Sequence, residues 1–187
     1  MDLLLHICCA PCSIMCIDTL RSEGIEPVGY YNNPNIHPFT EWRMRRNTLV
    51  DYAKSIDMKL IVDGAYGLRP FLTEVGGEFD GRCVHCYAMR MRAAAEYAAN
   101  NGFTHFSSTL FISPYQKHEL MKEVAEKAAE EFGVEFLYRD FRPYFREGQD
   151  RARELGLYMQ KYCGCIFSEE DRYKKHKKPP KTEESHE

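Results

Sequence analysis

Seven of the eight cysteines lie in three short groups, which read Cys8-Cys9-x-x-Cys12, Cys83-x-x-Cys86 and Cys163-x-Cys165. Thiolates at such spacings bind a soft metal ion or an iron–sulfur cluster. If the three groups meet, the fold has to bring together segments that are far apart in the chain, and up to seven sulfur ligands become available. The eighth cysteine, Cys16, is expected to be a small buried core residue.

The cellular setting decides whether these cysteines form disulfides. Residues 1–6 carry an acidic second position and only a short apolar run, which predicts neither a secretory signal nor a membrane span. We therefore predict a reducing, cytoplasmic setting, where clustered cysteines bind metal or perform redox chemistry more often than they form structural disulfides. The alternatives to a metal site are redox-active cysteines or a disulfide bond. With 187 residues, the chain can form a core that needs no disulfides.

The charge of the chain does not predict a general nucleic-acid binder, since the formal net charge is -3. The basic residues are nevertheless clustered, and such clusters can hold phosphates on an otherwise acidic protein. Solvated helix faces are the competing interpretation. The clusters are Arg43, Arg45 and Arg46; Arg90 and Arg92; Arg139, Arg142 and Arg146; and the lysine-rich stretch 174–181.

Strand and helix patterns alternate along the chain, which predicts an α/β fold. We expect an open, mostly parallel, Rossmann-like (nucleotide-hydrolase-like) sheet with helices on both faces and a helical C-terminal segment. Residues 1–173 are expected to form a single catalytic domain with a metal site, and 174–187 a disordered tail of basic and acidic residues. The predicted strands are 3–7, 27–31, 59–62, 104–109 and 134–138, and the main helices are about 11–23, 40–55, 84–100 and 114–132, the last opened by Pro114.

This fold class predicts where the cysteines lie. Ligands of open parallel sheets bind outside the carboxyl ends of the strands. The group 8–12 comes where the first strand passes into its helix, and the group 83–86 comes at the start of the long helix 84–100. We expect the group 163–165 to fold back over the same edge as a lid. ATP use is not expected, because the segment after the first strand has no glycine for a phosphate to approach.

The residues alone leave the metal and several polar positions open. Zinc, or a four-iron cluster with a nearby mononuclear iron, both fit the number of thiols. Asn33, Asn35 and His37 can hydrogen-bond a sugar or a nucleobase, although such residues are also ordinary turn formers. Asp140 is a candidate proton donor or metal ligand, and an ion pair with a neighbouring arginine is equally compatible with its position. His6 is expected to be a core histidine with satisfied hydrogen bonds.

Six sequence motifs in this order resemble the epoxyqueuosine reductase family of the QueH type, which is cobalamin-independent. The resemblance covers nearly the whole chain, from about 3 to 172, and no motif is missing. The motifs are His6-Ile7-Cys8-Cys9-Ala10-Pro11-Cys12, Asn33-Pro34-Asn35-Ile36-His37-Pro38, Arg82-Cys83-x-x-Cys86-Tyr87, Ser113-Pro114-Tyr115-Gln116-Lys117-His118, Asp140-Phe141-Arg142 and Gln160-Lys161-Tyr162-Cys163-Gly164-Cys165.

The resemblance implies an iron–sulfur oxidoreductase that completes queuosine synthesis. The expected reaction reduces the epoxide of epoxyqueuosine, at the wobble position of a tRNA, to the cyclopentene of queuosine. The implied cofactors are a [4Fe-4S] cluster and a second mononuclear iron, and the electron donor is not identified. The implied cofactor ligands are Cys8, Cys9, Cys12, Cys83, Cys86, Cys163 and Cys165, the catalytic candidate is Asp140, and the substrate candidates are Asn33, Asn35, His37, Tyr115 and Arg142.

Recognition of tRNA fits the composition as well. The arginine clusters can hold tRNA phosphates, and the aromatic residues Tyr30, Tyr31, Phe39 and Tyr115 are candidates to stack on an exposed anticodon base. Two other functions stay open at this point. One is an iron–sulfur oxidoreductase that acts on a small molecule, and the other is a zinc-bound structural or RNA-binding module.

Overall fold

Five short parallel strands form one sheet in the order β3-β2-β1-β4-β5. The computed structural model describes residues 1–174, so the predicted tail, apart from its first residue, lies outside the described part of the chain. The strands are β1 (Leu3–His6), β2 (Val28–Tyr31), β3 (Leu60–Val62), β4 (His105–Ser108) and β5 (Glu135–Phe136), and the α-helices are α1 (Ala10–Ser22), α2 (Phe39–Ser55), α3 (Leu68–Val75), α4 (Arg82–Asn100), α5 (His118–Phe132), α6 (Phe145–Glu154) and α7 (Ile166–Tyr173).

The strand order explains why helices cover both faces. Connections between parallel strands are almost always right-handed. The chain moves outward in one direction from β1 to β3 and in the other direction from β4 to β5, so α1 and α2 cover one face while α4 and α5 cover the other. The fold class predicted from the sequence is confirmed. In residues 1–174, no helix combines the length and the apolar composition that a membrane crossing requires.

The sheet changes direction between its neighbouring strands β1 and β4. β1 is completely buried, and its register places His6 opposite Ser108 at the carboxyl end of β4. Such a point of reversal is where open α/β sheets bind their ligands, because the two following connections diverge and leave a crevice. Residues that follow β1 and β4 therefore line this crevice.

The sequence predicts that the helix 114–132 begins at Pro114, and this start is wrong. A 3-10 turn spans Thr109–Ile112, and α5 begins only at His118. Ser113 holds the intervening residues as a turn, because its carbonyl accepts from Gln116 N at 3.3 Å and its hydroxyl accepts from Tyr115 N at 3.3 Å. The helix consequently starts one turn later than proline placement alone predicts.

Candidate metal centre

The first sulfur group, Cys8, Cys9 and Cys12, lies at the reversal point of the sheet. All three residues are buried, and their sulfur atoms lie within 4.8 Å of one another. The backbone amide of Cys8 donates to the hydroxyl of Thr109, which directly follows β4, at 3.3 Å. This bond ties the start of the group to the neighbouring strand. Across residues 1–174, no other three metal-ligating side chains have their donor atoms this close together.

The three thiols of the first sulfur group shift one another's pKa values. Hydrogen bonds from Cys12 and Cys9 hold the pKa of Cys8 well below its ordinary value, and the charge of Arg90 adds to this effect. The same hydrogen bond to Cys8 raises the pKa of Cys12, and burial raises the pKa of Cys9. These shifts favour Cys8 over Cys9 and Cys12 as the thiol that loses its proton first, and a metal ion that binds all three sulfurs must displace the remaining protons.

The second sulfur group consists of Cys83, Cys86, Cys163 and Cys165. Cys83 and Cys86 lie on the first turn of α4, whereas Cys163 and Cys165 come from the segment before α7. The pKa of Cys86 is raised to about 12, mainly by burial and also by the charges of Cys163, Cys165 and Cys83, against the opposing charge of Arg90. The charges of Cys163, Cys165 and Cys83 thus all disfavour the thiolate of Cys86, and a cation bound among these sulfurs would relieve that repulsion.

The segment that carries Cys163 and Cys165 is tied to the loop that follows β2. His37 N donates to the carbonyl of Gly164 at 2.7 Å, and the Tyr162 hydroxyl donates to the His37 carbonyl at 2.6 Å. His37 Nδ1 also accepts from Ile166 N at 3.1 Å. The segment thus lies over the carboxyl edge of the sheet, in the lid position that the sequence predicts.

Two buried arginines accompany the sulfur groups. Arg45 is 2% exposed, pairs with Glu41 at 2.7 Å, and donates to the carbonyls of Tyr162 and Cys163 at 3.0 and 2.8 Å. Arg90 is 1% exposed, and its Nε donates to Asn35 Oδ1 at 2.7 Å, while its Nη2 has no hydrogen-bond partner among the described residues. A buried guanidinium without a full set of acceptors is costly, so an anion bound between the sulfur groups would stabilise Arg90.

Three side-chain amides each donate to one cysteine sulfur. Asn35 Nδ2 lies 3.1 Å from Cys86 Sγ, and Gln160 Nε2 lies 3.4 Å from Cys12 Sγ. Gln116 Nε2 lies 3.2 Å from Cys163 Sγ. Donors of this kind stabilise negative charge on sulfur, and they set the potential of iron–sulfur centres.

Two of these amides are held in the donating orientation. Tyr87 donates its hydroxyl hydrogen to Gln116 Oε1 at 2.8 Å, which turns the NH2 group of Gln116 toward Cys163. The contact of Arg90 with Asn35 Oδ1 does the same for Asn35. The arrangement therefore keeps the positive NH2 ends of both amides directed at the sulfur atoms.

The predicted substrate residues of the loop after β2 are buried. Asn33 donates to the carbonyl of Ile7 at 2.9 Å, Asn35 contacts Cys86, and His37 holds the segment around Gly164. Burial lowers the pKa of His37 to about 4, so the ring is neutral at physiological pH. In this structure these side chains position the sulfur groups, and their predicted contact with substrate stays a prediction.

Asp140, Arg142 and Tyr115 lie on the surface. Asp140 Oδ2 pairs with Arg142 Nη2 at 2.6 Å, and this ion pair lowers the pKa of Asp140 to about 2. Asp140 is therefore ionised at neutral pH, and it can donate a proton only if Arg142 moves away. Tyr115 is 84% exposed, as a side chain that stacks on a base must be. The role of each of these residues stays a prediction.

The predicted stacking role of Tyr30 and Tyr31 is wrong. Both side chains are buried, at 1% and 0% exposure, because they belong to the inner strand β2. Cys16 and His6 are buried as predicted, and His6 bonds Ser108 Oγ at 2.9 Å. For the clusters that contain Arg45 and Arg90, the sequence suggests either phosphate contacts or solvated helix faces; neither holds for these two arginines, which are buried near the sulfur groups.

Sequence reasoning missed the contacts of four residues, although a signal exists for each. Arg90 follows Cys86 by four positions on α4, and Arg45 follows Glu41 by four positions on α2, so each pair shares a helix face. Gln116 and Gln160 lie inside the quoted motifs beside Tyr115 and Lys161. Neither signal identifies the sulfur that each side chain contacts, because those contacts join separate segments.

The donor set fits a thiolate-bound metal. Every candidate ligand is a cysteine, which favours zinc, iron or an iron–sulfur cluster over magnesium or calcium. The unpartnered Nη2 of Arg90 and the three amides add positive charge around the sulfurs. The described residues could therefore hold a thiolate-bound metal, and the positive groups beside the sulfurs would offset negative charge on it.

Comparison with known proteins assigns the chain to a family. A solved structure described as a predicted subunit of a tRNA methyltransferase from Methanocaldococcus jannaschii aligns over 94% of both chains, with a TM-score of 0.48 and 13% identity. Epoxyqueuosine reductase QueH of Dehalococcoides mccartyi is 39% identical over 177 residues, which cover 95% of this chain and 97% of that protein. The Thermotoga maritima protein of the same name is 32% identical over 183 residues, covering 92% and 93%. The family model described as Epoxyqueuosine reductase QueH matches residues 3–171, and the chain belongs to this family.

Proposed function

We propose that the protein reduces epoxyqueuosine in tRNA to queuosine at the crevice lined by the two sulfur groups. Membership of the epoxyqueuosine reductase QueH family supports an oxidoreductase with this substrate. The observation that carries the proposal is the buried cluster of Cys8, Cys9 and Cys12 at the reversal point of the sheet, together with Arg90, whose pKa is raised by the charges of Cys86, Cys163 and Cys8 alike.

The reaction requires both electrons and protons. Both carbon–oxygen bonds of the epoxide break, a carbon–carbon double bond forms, and the oxygen leaves as water. The balance takes up two electrons and two protons, and an external reductant has to supply the electrons. A thiolate-bound iron centre is a suitable carrier, because clusters of this type reach low potentials.

We assign the second sulfur group to a [4Fe-4S] cluster and the first sulfur group to a mononuclear iron. Four thiolates match the ligand requirement of the cluster, and three leave one position open on a tetrahedral metal. When bound, the cluster supplies electrons and the iron supplies a Lewis acid for the epoxide oxygen. The close approach of Cys8, Cys9 and Cys12 supports a single ion on that group.

The surrounding residues then have definable tasks. Arg45 fixes the lid through the carbonyls of Tyr162 and Cys163. Asn35, with Gln116 and Gln160, donates to the sulfurs and stabilises their negative charge. Burial of Cys8, Cys9 and Cys12 keeps water from the first group and strengthens the interactions there, whereas Cys163 of the second group is exposed.

Metal analysis and turnover together test the proposal. Protein purified without oxygen should contain about four sulfides and at least as many irons per chain, and it should convert epoxyqueuosine tRNA to queuosine tRNA. Changing any one of the seven clustered cysteines to alanine should abolish conversion and usually lower the iron content. Cys16→Ala is the matched control and should retain both, because Cys16 lies on α1 outside both groups, where it donates to the Cys12 carbonyl at 3.3 Å. Zinc without sulfide, persisting after anaerobic reconstitution, would favour the zinc-bound module instead.

A further inference from the structure

The amino-terminal half of α2 carries two arginines that no carboxylate neutralises. Arg43 is exposed and Arg46 is half-buried, and neither forms an ion pair within residues 1–174. Most other surface arginines do, as the pairs of Arg92 with Glu131 and of Arg139 with Glu23 show. Unpaired guanidinium groups on an acidic protein mark a local site for anions.

Both arginines lie over aromatic rings. The guanidinium carbon of Arg43 is 5.7 Å from the centre of the Phe39 ring, and that of Arg46 is 4.8 Å from the Trp42 ring. Phe39 is 47% exposed and stacks on Trp42 at 5.7 Å, with Tyr66 against its edge at 5.5 Å. We call this surface of Phe39, Trp42, Arg43, Arg46 and Tyr66 the α2 patch. These contacts hold the charges in place beside a flat apolar face.

The α2 patch adjoins the candidate metal centre. α2 begins at the carboxyl edge of the sheet, because it follows β2 through the loop that contains His37. The His37 ring lies 5.6 Å from Tyr66, and the His37 backbone amide bonds the carbonyl of Gly164, between Cys163 and Cys165. A macromolecule that covers the α2 patch therefore also lies beside the segment that carries Cys163, whose side chain is exposed.

We propose that the α2 patch binds the anticodon loop of the tRNA substrate. This inference rests on the proposed function. The part of the Phe39 ring that its neighbours leave exposed packs against an unpaired base next to the modified nucleoside, and Arg43 and Arg46 contact the phosphates that flank it. Reading of RNA by proteins usually targets unpaired bases in loops through this combination of aromatic stacking and basic side chains.

Charge complementarity alone also fits an acidic electron-donor protein. The exposed aromatic ring favours RNA, because every base has a face that can stack on Phe39. Arg43 and Arg46 meet phosphates well, since a guanidinium donates two parallel hydrogen bonds to one phosphate. The donor protein is therefore treated as an outcome that the experiment distinguishes.

The test measures the affinity of the metal-loaded full chain for epoxyqueuosine tRNA at several salt concentrations. Phe39→Ala should weaken binding roughly 5- to 150-fold, whereas Phe39→Tyr, which keeps an aromatic ring, should bind tRNA as the wild type does. Arg43→Ala and Arg46→Ala should each reduce the salt slope by about one. For charge reversal, Lys127→Glu is the matched control for Arg43→Glu, because Lys127 is exposed on the second half of α5, toward the opposite edge of the sheet. Arg43→Glu should abolish binding, and Lys127→Glu should leave it unchanged.

The outcomes separate this proposal from the proposed function. If the wild-type chain neither binds epoxyqueuosine tRNA nor reduces it, the proposed function fails. If wild type does both and the Phe39 and arginine variants bind as wild type does, the tRNA assignment of the α2 patch is overturned. If those variants bind tRNA normally and reduce it with a chemical reductant, but lose turnover with a protein reductant, the α2 patch belongs to the electron donor. Iron content should stay at the wild-type value in every variant.

Discussion

Gly164, between two cysteines of the second sulfur group, is the position where one added methyl group should have the largest effect on the metal site. Its φ angle is +152°, which residues other than glycine rarely adopt. Its carbonyl accepts from His37 N at 2.7 Å and its amide donates to Ser168 Oγ at 3.1 Å, so both backbone groups are held. A Cβ atom would lie 3.2 Å from Ile36 Cγ1 and 3.4 Å from Arg45 Nη1. Relief therefore requires the segment to move.

The expected cost of Gly164→Ala follows from this geometry. A residue other than glycine in such a backbone conformation costs on the order of 1–3 kcal/mol. If the segment moves to avoid that cost, Cys163 and Cys165 lose their positions opposite Cys83 and Cys86. We therefore expect a loss of about 1–3 kcal/mol in the unfolding free energy of the metal-free protein, together with a fall in iron content.

Urea unfolding of the metal-free protein and iron analysis of the loaded protein measure the two effects. Gly133→Ala is the matched control, because Gly133 ends α5 at φ +68° with no atom within 4 Å of its added Cβ. It should cost about 1–2 kcal/mol and leave iron content unchanged. Full iron content in Gly164→Ala, with wild-type stability, would refute the reasoning.

Three further changes test the contacts around the centre. Arg45→Met should lower the unfolding free energy by roughly 3–5 kcal/mol, because it leaves Glu41 buried without an ion-pair partner. In urea unfolding, the addition of Glu41→Gln should recover part of this stability, and equal stability of the single and double variants would contradict the reasoning. Gln116→Leu removes a donor to Cys163 and should lower the reduction potential in a redox titration, so an unchanged potential would remove Gln116 from this role. Asp140→Asn should retain turnover of epoxyqueuosine tRNA, since the carboxylate is already ionised; a loss of about 10²–10⁴-fold would identify it as the proton donor.

The architecture could be predicted from the sequence because each element carries its own local signal. Pro11 on the first turn of α1 and Gly24 just beyond its end give the boundaries of that helix, and Gly133 ends α5 in the same way. The start of α5 could not be predicted. Pro114 is compatible with a first helical turn, and the turn formed there instead depends on the side chain of Ser113 and on Tyr87, which accepts from Lys117 N at 3.0 Å.

The site was predictable where its residues are local and unpredictable where they come from different segments. The positions of Cys8 after β1 and Cys86 on the first turn of α4 follow from the fold class alone. Burial of Tyr30 depends on its strand being covered on both faces, which no short motif reveals. The pairing of Asn35 with Cys86, and of Gln116 with Cys163, joins residues that are 51 and 47 positions apart. A single sequence contains no signal for such pairs.

Arg90 links the two sulfur groups electrostatically. It lies one helical turn after Cys86 on α4, and the charges of Cys86, Cys163 and Cys8 all raise its pKa against the opposing effect of burial. Its own charge, added to the hydrogen bonds from Cys12 and Cys9, favours the thiolate at Cys8. Arg45 has Glu41 as its partner, whereas Arg90 has no carboxylate within residues 1–174. The folded chain therefore places one cation under the influence of both sulfur groups, where it favours the thiolate form of Cys8 and would offset the negative charge of a metal centre bound there.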